Sequence, residues 1–412
     1  MTSKETSMRL AVGIDDLTLY GSTLAVDAAG LASARGTAER EIRSLELVRR
    51  SLPPSFEDPV TLAVNAARPL TDPDDPERYG LLVVATESGV DYAKPLSSYV
   101  HKYLELSHRC RHLEVKHACY AGTAALRLAS AWVHCNPTRR ALVITTDMAR
   151  RLFHDPAEPA EGAGAAAMVV AAEPRVLALE PASGVAAREV YDVMRPTPSL
   201  ETIHSGLSLG AYLDLLELAW DGYREDAGAD VFDTFSHVIY HTPITSLVRQ
   251  AHGLVVEAHR PDVEPSVVAE SFERMVRPSL KYCQELGNTY SGSLWAALAA
   301  LVDHAPSVAA GERIGLYSYG SGSCAEFFSG RFGTAARETV GRHQIGQHLA
   351  SRRLVDVADY ERIVLDTERS LTAAHFKPDT SLVPGLLDEA YTGRALLVLE
   401  DVRDYYRTYG WS

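Results

Sequence analysis

The sequence predicts an α/β protein built from two similar halves. Residues 81–85 and 140–145 are largely apolar runs, typical of strands buried on both faces of a helix-covered sheet. In the first half a strand leads to Cys119 and a helix follows, and in the second half a strand leads to His241 and a helix follows. This shared plan suggests an internal structural duplication, although no long sequence repeat is visible.

Composition limits the possible classes of function. The 412 residues carry a formal net charge of −14, and this acidic balance argues against non-specific nucleic-acid binding. Five cysteines without a CxxC pair indicate neither a disulfide framework nor a zinc cluster. No apolar leader and no run of roughly 20 apolar residues is visible, so we expect a cytoplasmic protein without a membrane span, metal or cofactor. An acidic partner would have to meet a local basic patch, for which the candidates are Arg109, Arg111, Lys116, Arg249 and Lys281.

The first half alternates predicted strands and helices. In order, the pattern indicates a strand at 10–14, a turn with Asp15 and Asp16, a helical segment within 24–50, a loop at 71–76, a strand at 81–85 and a helix at 95–106. Glu87 lies just after the strand at 81–85, at the sheet edge where α/β proteins bind ligands. Taken alone, Glu87 is more simply explained as a helix cap.

Cys119 lies at the turn between a short strand and a helix. The apolar residues Ala125, Leu128, Ala129 and Trp132 have the spacing of one buried helix face. At the positive end of such a helix, unpaired N–H groups and the helix dipole favour a thiolate over a thiol. The alternative for Cys119 is a small core residue, since buried free cysteines are common.

The second half repeats the alternation. Residues 172–200 are rich in Pro and Ala and are interpreted as the passage between halves, which we place at 8–171 and 172–412. Beyond them the pattern predicts a helix at 208–220, a strand at 236–241, a helix beginning at Thr242 and Pro243, a loop at 286–292, a helix at 294–302, a strand at 313–319, a turn at 320–323 and a strand at 394–399.

Four reactive side chains lie at strand ends or in loops, and their chemistry is complementary. Cys119 is a nucleophile suited to thioester exchange. His241, held by Asn288 or a backbone group, could polarise or protonate a developing oxyanion, with backbone N–H groups at Cys119 and in the 320–322 turn as an oxyanion hole. Glu87 is then available as a general base if burial raises its pKa. Each residue alone also has a structural explanation, as a core side chain, a helix cap or part of a hairpin.

Five sequence blocks taken together resemble the 3-hydroxy-3-methylglutaryl-CoA synthase family. These are ATESGVD at 85–91, KHACYAGTA at 116–124, YHTP at 240–243, GNTYSGSL at 287–294 and SYGSG at 318–322. The resemblance implies a thiolase-like fold with two halves in αβαβα layers, and a homodimer. It also implies that Cys119 takes an acetyl group, Glu87 is the general acid and base, and His241 engages the acceptor's keto oxygen. The implied substrate-binding residues are Asn288, Ser321, Gly320 and Tyr290.

Residues 91–100 and 318–330 resemble a branch of this family found with modular polyketide synthases. Members of that branch use acyl-carrier-protein (ACP) thioesters and install a β-branch. The implied partners are an acetyl-loaded donor ACP and the acceptor ACP of a polyketide synthase. The chain departs from the CoA-using pattern in two places: it has no lysine near Ser246, and no tyrosine among Arg150, Arg151 and Leu152. Both departures are compatible with carrier-protein use.

Three other functions are considered with this one. The chain could be the primary-metabolic synthase, which acts on acetyl-CoA and acetoacetyl-CoA. It could be a decarboxylating ketosynthase with a Cys/His/Asn set, although that reaction has no use for Glu87. It could also be a catalytically silent thiolase-fold scaffold, which the complete reactive set argues against.

Overall fold

The computed structural model describes residues 10–149, 153–197, 200–258 and 260–412. The strands are β1 (Val12–Tyr20), β2 (Leu24–Asp27), β3 (Arg49–Leu52), β4 (Tyr79–Ala85), β5 (Arg111–Val115), β6 (Arg140–Met148), β7 (Ala163–Ala172), β8 (Leu177–Ala187), β9 (Val193–Thr197), β10 (Leu200–Ile203), β11 (His237–Tyr240), β12 (Arg313–Gly320), β13 (Cys324–Phe332), β14 (Arg353–Val355), β15 (His375–Phe376), β16 (Leu397–Arg403) and β17 (Tyr406–Trp411).

The helices alternate with these strands along the chain. They are α1 (Ala28–Ala34), α2 (Glu39–Leu45), α3 (Pro59–Ala67), α4 (Leu96–Tyr103), α5 (Ala121–Cys135), α6 (Ser205–Ala227), α7 (Val231–Thr234), α8 (Thr245–Glu257), α9 (Pro265–Met275), α10 (Lys281–Leu286), α11 (Ser293–His304), α12 (Ala336–Gly341), α13 (Ile345–Ala350), α14 (Val357–Thr372) and α15 (Leu386–Ala390). No helix within the described ranges is long and apolar enough to cross a membrane.

The strand order repeats in the two halves of the sheet. Within the described residues, nine strands form one mixed sheet in the order β11-β12-β13-β8-β1-β7-β6-β4-β5. Outward from β1, β7 pairs antiparallel with β1 and β6 pairs antiparallel with β7. β4 and then β5 follow in parallel pairs. Outward from β8, β13 and β12 likewise pair antiparallel and β11 pairs parallel, in the same order but with one parallel strand fewer. The two halves therefore share one topology, while the boundary at 171/172 stays a prediction.

Helices form layers on both faces of the sheet and between its halves. Along β4, alternate side chains face two different hydrophobic clusters, as the twofold repeat of a strand requires. One cluster contains α5 and α11 together with strands of both halves. The second packs α3 and α4 on the first half, and the third packs α6 and α8 on the second half. This gives the five αβαβα layers that the sequence resemblance implied.

Several local predictions are wrong, and tertiary context explains them. Asp15 and Asp16 lie inside β1, where nearby arginines bind both carboxylates. The 172–200 segment contains the eleven-residue strand β8, which the sequence pattern does not predict. The helix after His241 begins at Thr245, beyond Pro243. On α5, Leu128 is exposed, and the buried face includes Leu126 and Val133 instead.

Gly184 allows β8 to approach α6 closely. A Cβ atom at this position would lie 1.9 Å from the carbonyl oxygen of Ala219 and 2.3 Å from the amide nitrogen of Tyr223, and both are backbone atoms. We expect Gly184→Ala to lower the free energy of unfolding by about 1–3 kcal/mol, because strand and helix must separate. Gly253→Ala in α8, with nothing within 4 Å, is the matched control and should stabilise the helix by up to about 1 kcal/mol. Chemical denaturation of both variants checks this, and a Gly184→Ala protein as stable as the parent would contradict it.

Candidate active site

The predicted reactive residues meet in one cavity, called here the active-site cavity. It measures about 280 Å³ and is lined by Glu87, Cys119, His241, Asn288, Tyr290 and Ser321, among others. Glu87 follows β4, Cys119 follows β5 and His241 follows β11, and these strands belong to the parallel parts of the sheet. Their carboxyl ends therefore deliver the three side chains to one place.

Cys119 is a thiol in the resting site, contrary to the thiolate that its position at the α5 N-terminus predicts. Burial raises the pKa of the Cys119 thiol well above its ordinary value. The carboxylates of Glu87, Asp147, Glu201 and Glu161 raise it further by charge repulsion. The helix end was visible in the sequence, whereas the carboxylates come from four separate segments that only the fold brings together.

Glu87 has the raised pKa that a general base near neutral pH requires. Burial is the main cause, and it raises the pKa of the Glu87 carboxyl to about 8. The Arg195 guanidinium opposes this shift, while the carboxylates of Asp147, Glu201 and Glu161 add to it. Glu87 therefore carries a proton for most of the time at pH 7 and can lose it at little cost in free energy.

An arginine and a second glutamate, neither of which the sequence pattern predicts, complete the surroundings of Glu87. Arg195 Nη2 lies 3.7 Å from Glu87 Oε1 and 2.5 Å from Glu201 Oε2. The Tyr290 hydroxyl donates to Glu201 Oε1 at 2.8 Å. Arg195 and Glu201 lie on the β9–β10 hairpin, inside or next to the segment interpreted as a passage. No local motif marks them, because their role depends on that hairpin folding over the cavity.

Asp147, at the end of β6, ties the two halves together beneath the site. Its Oδ1 accepts hydrogen bonds from the Glu87 amide at 2.9 Å and from the Ser88 hydroxyl at 2.9 Å. Its Oδ2 accepts from the amide of Ser291 at 3.2 Å. These contacts fix the backbone of Glu87 relative to the loop that carries Asn288 and Tyr290.

His241 is neutral in the active-site cavity. Burial lowers the pKa of its imidazole to about 3. Its backbone is held on both sides, because the amide donates to the carbonyl of Tyr317 at 2.7 Å and the carbonyl accepts from the Tyr212 hydroxyl at 2.9 Å. A neutral imidazole held in this way can donate a hydrogen bond from one ring nitrogen and accept one at the other, and its predicted contact with a substrate oxygen stays a prediction.

Asn288 is oriented by its own loop. Its Oδ1 accepts from the Tyr290 amide at 3.0 Å and from the Ser293 hydroxyl at 3.1 Å. Because both partners donate, the Nδ2 end of the side chain is the one left to serve a ligand. The structure thus fixes Asn288 through its neighbours, and its predicted role in substrate binding stays a prediction.

Gly320 and Ser321 play different parts in the wall beside Cys119. Ser321 lines the active-site cavity. A Cβ atom on Gly320 would lie 2.4 Å from the Tyr120 amide nitrogen, so glycine allows the 320–323 turn to press against the Cys119 turn. Gly320 therefore shapes the site by close packing, and its contact with substrate stays a prediction. Arg150, Arg151 and Leu152, among which the CoA-using pattern would have a tyrosine, lie outside the described residues.

Comparison with known proteins identifies the family. Residues 10–174 match the family description "Hydroxymethylglutaryl-coenzyme A synthase N terminal", and residues 262–410 match its C-terminal counterpart. The chain is 34% identical to the polyketide biosynthesis 3-hydroxy-3-methylglutaryl-ACP synthase PksG of Bacillus subtilis, over 98% of this chain and 99% of that protein. The chain belongs to the hydroxymethylglutaryl-CoA synthase family. It is therefore a condensing, carbon–carbon bond-forming acyltransferase of the hydroxymethylglutaryl (HMG) synthase type.

Other relatives include both CoA-named and ACP-bound HMG synthases. The hydroxymethylglutaryl-CoA synthase of Enterococcus faecalis is 31% identical over 87% of this chain and 92% of that protein. The curacin biosynthetic pathway HMG synthase, solved in complex with holo donor-ACP, superposes with a TM-score of 0.93 at 33% identity, covering 98% of this chain and 100% of that one. The fold of this HMG synthase is thiolase-like, as the sequence resemblance implied.

Proposed function

We propose that this chain is a 3-hydroxy-3-methylglutaryl-ACP synthase that introduces a β-branch into a carrier-bound polyketide intermediate. The observation that carries the proposal is one cavity that holds the Cys119 thiol, a Glu87 carboxyl with a pKa of about 8 and a neutral His241 imidazole. A nucleophile, a near-neutral base and an uncharged donor are the three groups that an aldol-type condensation on an enzyme-bound thioester needs.

The first step transfers acetyl from a donor ACP to Cys119. The Cys119 sulfur attacks the acetyl carbonyl, the bond between that carbon and the carrier's sulfur breaks, and the thiol proton ends on the departing carrier thiol. Since burial and carboxylates keep Cys119 protonated, the sulfur becomes a nucleophile only as this proton moves. Acylation also replaces the ionisable thiol by a neutral thioester. No thiolate is then present to repel the Glu87 carboxylate during condensation.

Condensation uses Glu87 twice. As a carboxylate it takes a proton from the methyl group of acetyl-Cys119, and the resulting enolate carbon bonds to the β-keto carbon of the acceptor. The keto oxygen becomes an alkoxide, to which His241 donates a hydrogen bond, and it receives the proton from Glu87. Water then adds to the acyl carbon and the bond to Cys119 breaks. The products are a free carboxymethyl branch and a regenerated thiol.

The choice of ACP over CoA rests on relatives and on the cavity itself. The curacin enzyme was solved in complex with its donor ACP. In the described part of this chain, no lysine or arginine is among the residues that line the active-site cavity, and Ser246 lies in its wall. The described lining thus holds no cation for the additional adenylate phosphates that distinguish CoA from a carrier-held arm, which is compatible with ACP use. An acceptor ACP, a homodimer and a cytoplasmic location stay predictions.

Intact-protein mass spectrometry tests this assignment. The protein is incubated separately with acetyl-ACP and with acetyl-CoA, and the acetyl adduct on Cys119 is quantified over time. We expect rapid acetylation from acetyl-ACP and slow acetylation from acetyl-CoA. Faster acetylation from acetyl-CoA would favour the primary-metabolic reaction. No adduct from either donor, with Cys119→Ala as the blank, would contradict an HMG synthase reaction.

The raised pKa of Glu87 predicts a pH profile for the acetylated enzyme. Because only the Glu87 carboxylate can take the methyl proton, single-turnover condensation should rise roughly tenfold per pH unit below about pH 7, reach half its maximum near pH 8 and level off above about pH 9. Arg195→Gln removes the charge that lowers the pKa of Glu87, so the plateau should move to higher pH and the rate at pH 7 should fall. Arg224→Gln is the control, because its partly exposed side chain pairs with Asp221 on the outer side of α6. A profile that Arg195→Gln leaves unchanged would contradict this account.

A further inference from the structure

A second cavity adjoins the first on the far side of Glu87. This acceptor-side cavity measures about 470 Å³, within the roughly 300–1,000 Å³ range of pockets that hold drug-sized ligands. Glu87, Ala118, Val193 and Ser321 line both cavities, so the boundary between the two runs beside the turn that carries Cys119. An acceptor with only a methyl group beyond its keto carbon would not need this space, whereas an acceptor with a longer chain would.

The two cavities differ in the chemistry of their walls. The active-site cavity is bordered by apolar side chains such as Leu209, Ile203, Ile244 and Leu247. Most residues that line the acceptor-side cavity have polar or charged side chains; besides the shared Glu87 and Ser321, these are Thr86, Ser88, Asp91, Tyr92, Glu114, Lys116, His117 and Arg195. Burial lowers the pKa of the His117 imidazole, so this ring offers one neutral donor and one acceptor.

Geometry assigns a different part of the acceptor to each cavity. A carrier-held arm must approach Cys119 through one opening, and the acceptor's keto carbon must stop beside Cys119, Glu87 and His241. His241 lines only the active-site cavity of the two, so the thioester side of the acceptor belongs there. Whatever is attached to the keto carbon on its other side then points past Glu87 and Ser321.

We propose that the acceptor-side cavity receives the acyl chain of the acceptor beyond its β-keto carbon, and that this chain carries hydroxyl or carbonyl groups. The proposal rests on the function proposed above. Lys116 and the His117 ring can donate to chain oxygens, while Asp91 and Glu114 can accept from chain hydroxyls. Asp91 and Glu114 already accept hydrogen bonds from the backbone amides of residues 93, 94 and 96, whereas a plain alkyl chain would cover Lys116 and the His117 ring without offering either a partner, so these two donors make the wall favour a chain with oxygens.

Gly89 provides a way to fill this cavity without touching the reacting groups. It lines the acceptor-side cavity but not the active-site cavity. A Cβ atom there would lie 3.5 Å from Glu114 Oε1 and 3.7 Å from the Asp91 carbonyl oxygen, which are ordinary contacts. Gly89→Leu should therefore fold and occupy the space. Gly253→Leu, with open space around it on α8, is the matched control.

The experiment compares three acceptors on one ACP with pre-acetylated enzyme. The acyl groups are 3-oxobutanoyl, 3-oxooctanoyl and 7-hydroxy-3-oxooctanoyl. For the parent protein we expect kcat/KM to be several-fold higher with the 7-hydroxy-3-oxooctanoyl acceptor than with the 3-oxooctanoyl acceptor. Gly89→Leu should lower kcat/KM for both eight-carbon acceptors about tenfold or more and leave the four-carbon acceptor within about twofold. Gly253→Leu should leave all three unchanged.

Each outcome separates this proposal from the function on which it rests. If Gly89→Leu affects short and long acceptors equally, or neither, the cavity does not hold the chain and the proposal is overturned, while the condensation stands. If the parent uses the plain and hydroxylated chains equally, the polar-chain assignment is overturned. If the acetylated parent fails to condense with any of the three acceptors, the proposed function falls and this inference falls with it.

Discussion

Replacing Glu87 by glutamine is expected to leave acetyl transfer to Cys119 intact and to slow condensation by about 10³-fold. The amide is almost the same size as the carboxyl but cannot accept a methyl proton, and positioned general bases typically contribute about 10²–10⁴-fold. Acetyl transfer needs no base at Glu87, because the thiol proton ends on the departing carrier thiol. Glu87→Gln should thus accumulate the acetyl-enzyme in the presence of acceptor. Rapid-quench mass spectrometry measures both steps separately.

Glu161→Gln is the matched control for this variant. Glu161 lines the same cavity, and its charge raises the pKa of Glu87. Its replacement should keep condensation and move the pH profile towards lower pH, since one source of repulsion is removed. If Glu87→Gln condensed at the parent's rate, or if the two variants behaved alike, the role assigned to Glu87 would be wrong.

Truncation of His241 is expected to give the second large effect, again on condensation alone. A preorganised donor to a developing oxyanion is typically worth about 10²–10³-fold in rate. His241→Ala should therefore acetylate normally and condense about 10²–10³-fold more slowly, as single-turnover kinetics with acetylated protein will show. His241→Gln keeps an N–H donor and should recover part of the rate.

The neutrality of His241 also predicts how the condensation rate depends on pH. Because burial lowers its pKa to about 3, its protonation does not change between pH 5 and 8. The condensation profile should therefore show the Glu87 ionisation and no second step near pH 6.5. A His241-dependent step near that pH, absent in His241→Gln, would show that the imidazole works as a cation.

The meeting of Cys119, Glu87 and His241 in one cavity could be predicted because each of them follows a strand. Parallel strands deliver their carboxyl ends to one edge, and a strand run is visible in sequence before Cys119, Glu87 and His241. The strands before Glu87 and His241 lie close to their predicted positions for the same reason, whereas the helix after His241 begins only at Thr245. By contrast, Asp15 and Asp16 resemble a turn locally, and only their arginine partners explain how two carboxylates can lie in a buried strand.

The electrostatics of the site could not be predicted from local sequence. The helix end at Cys119 favours a thiolate, but burial and four carboxylates outweigh it. Arg195 and Glu201 reach Glu87 from a hairpin more than 100 residues further along the chain. A pKa depends on the sum of such distant charges and on desolvation, neither of which has a sequence signature.

Hydrogen exchange at the acetyl methyl group tests the central claim most directly, which is that Glu87 makes a carbon nucleophile of the acetyl group on Cys119. The acetyl-enzyme is held in D₂O without acceptor, then quenched and returned to H₂O so that only carbon-bound deuterium remains. Mass spectrometry of the Cys119 peptide should show deuterium entering the methyl group in the parent and none in Glu87→Gln. A parent acetyl group that keeps its protium, or a Glu87→Gln acetyl group that exchanges as fast as the parent's, would contradict the account.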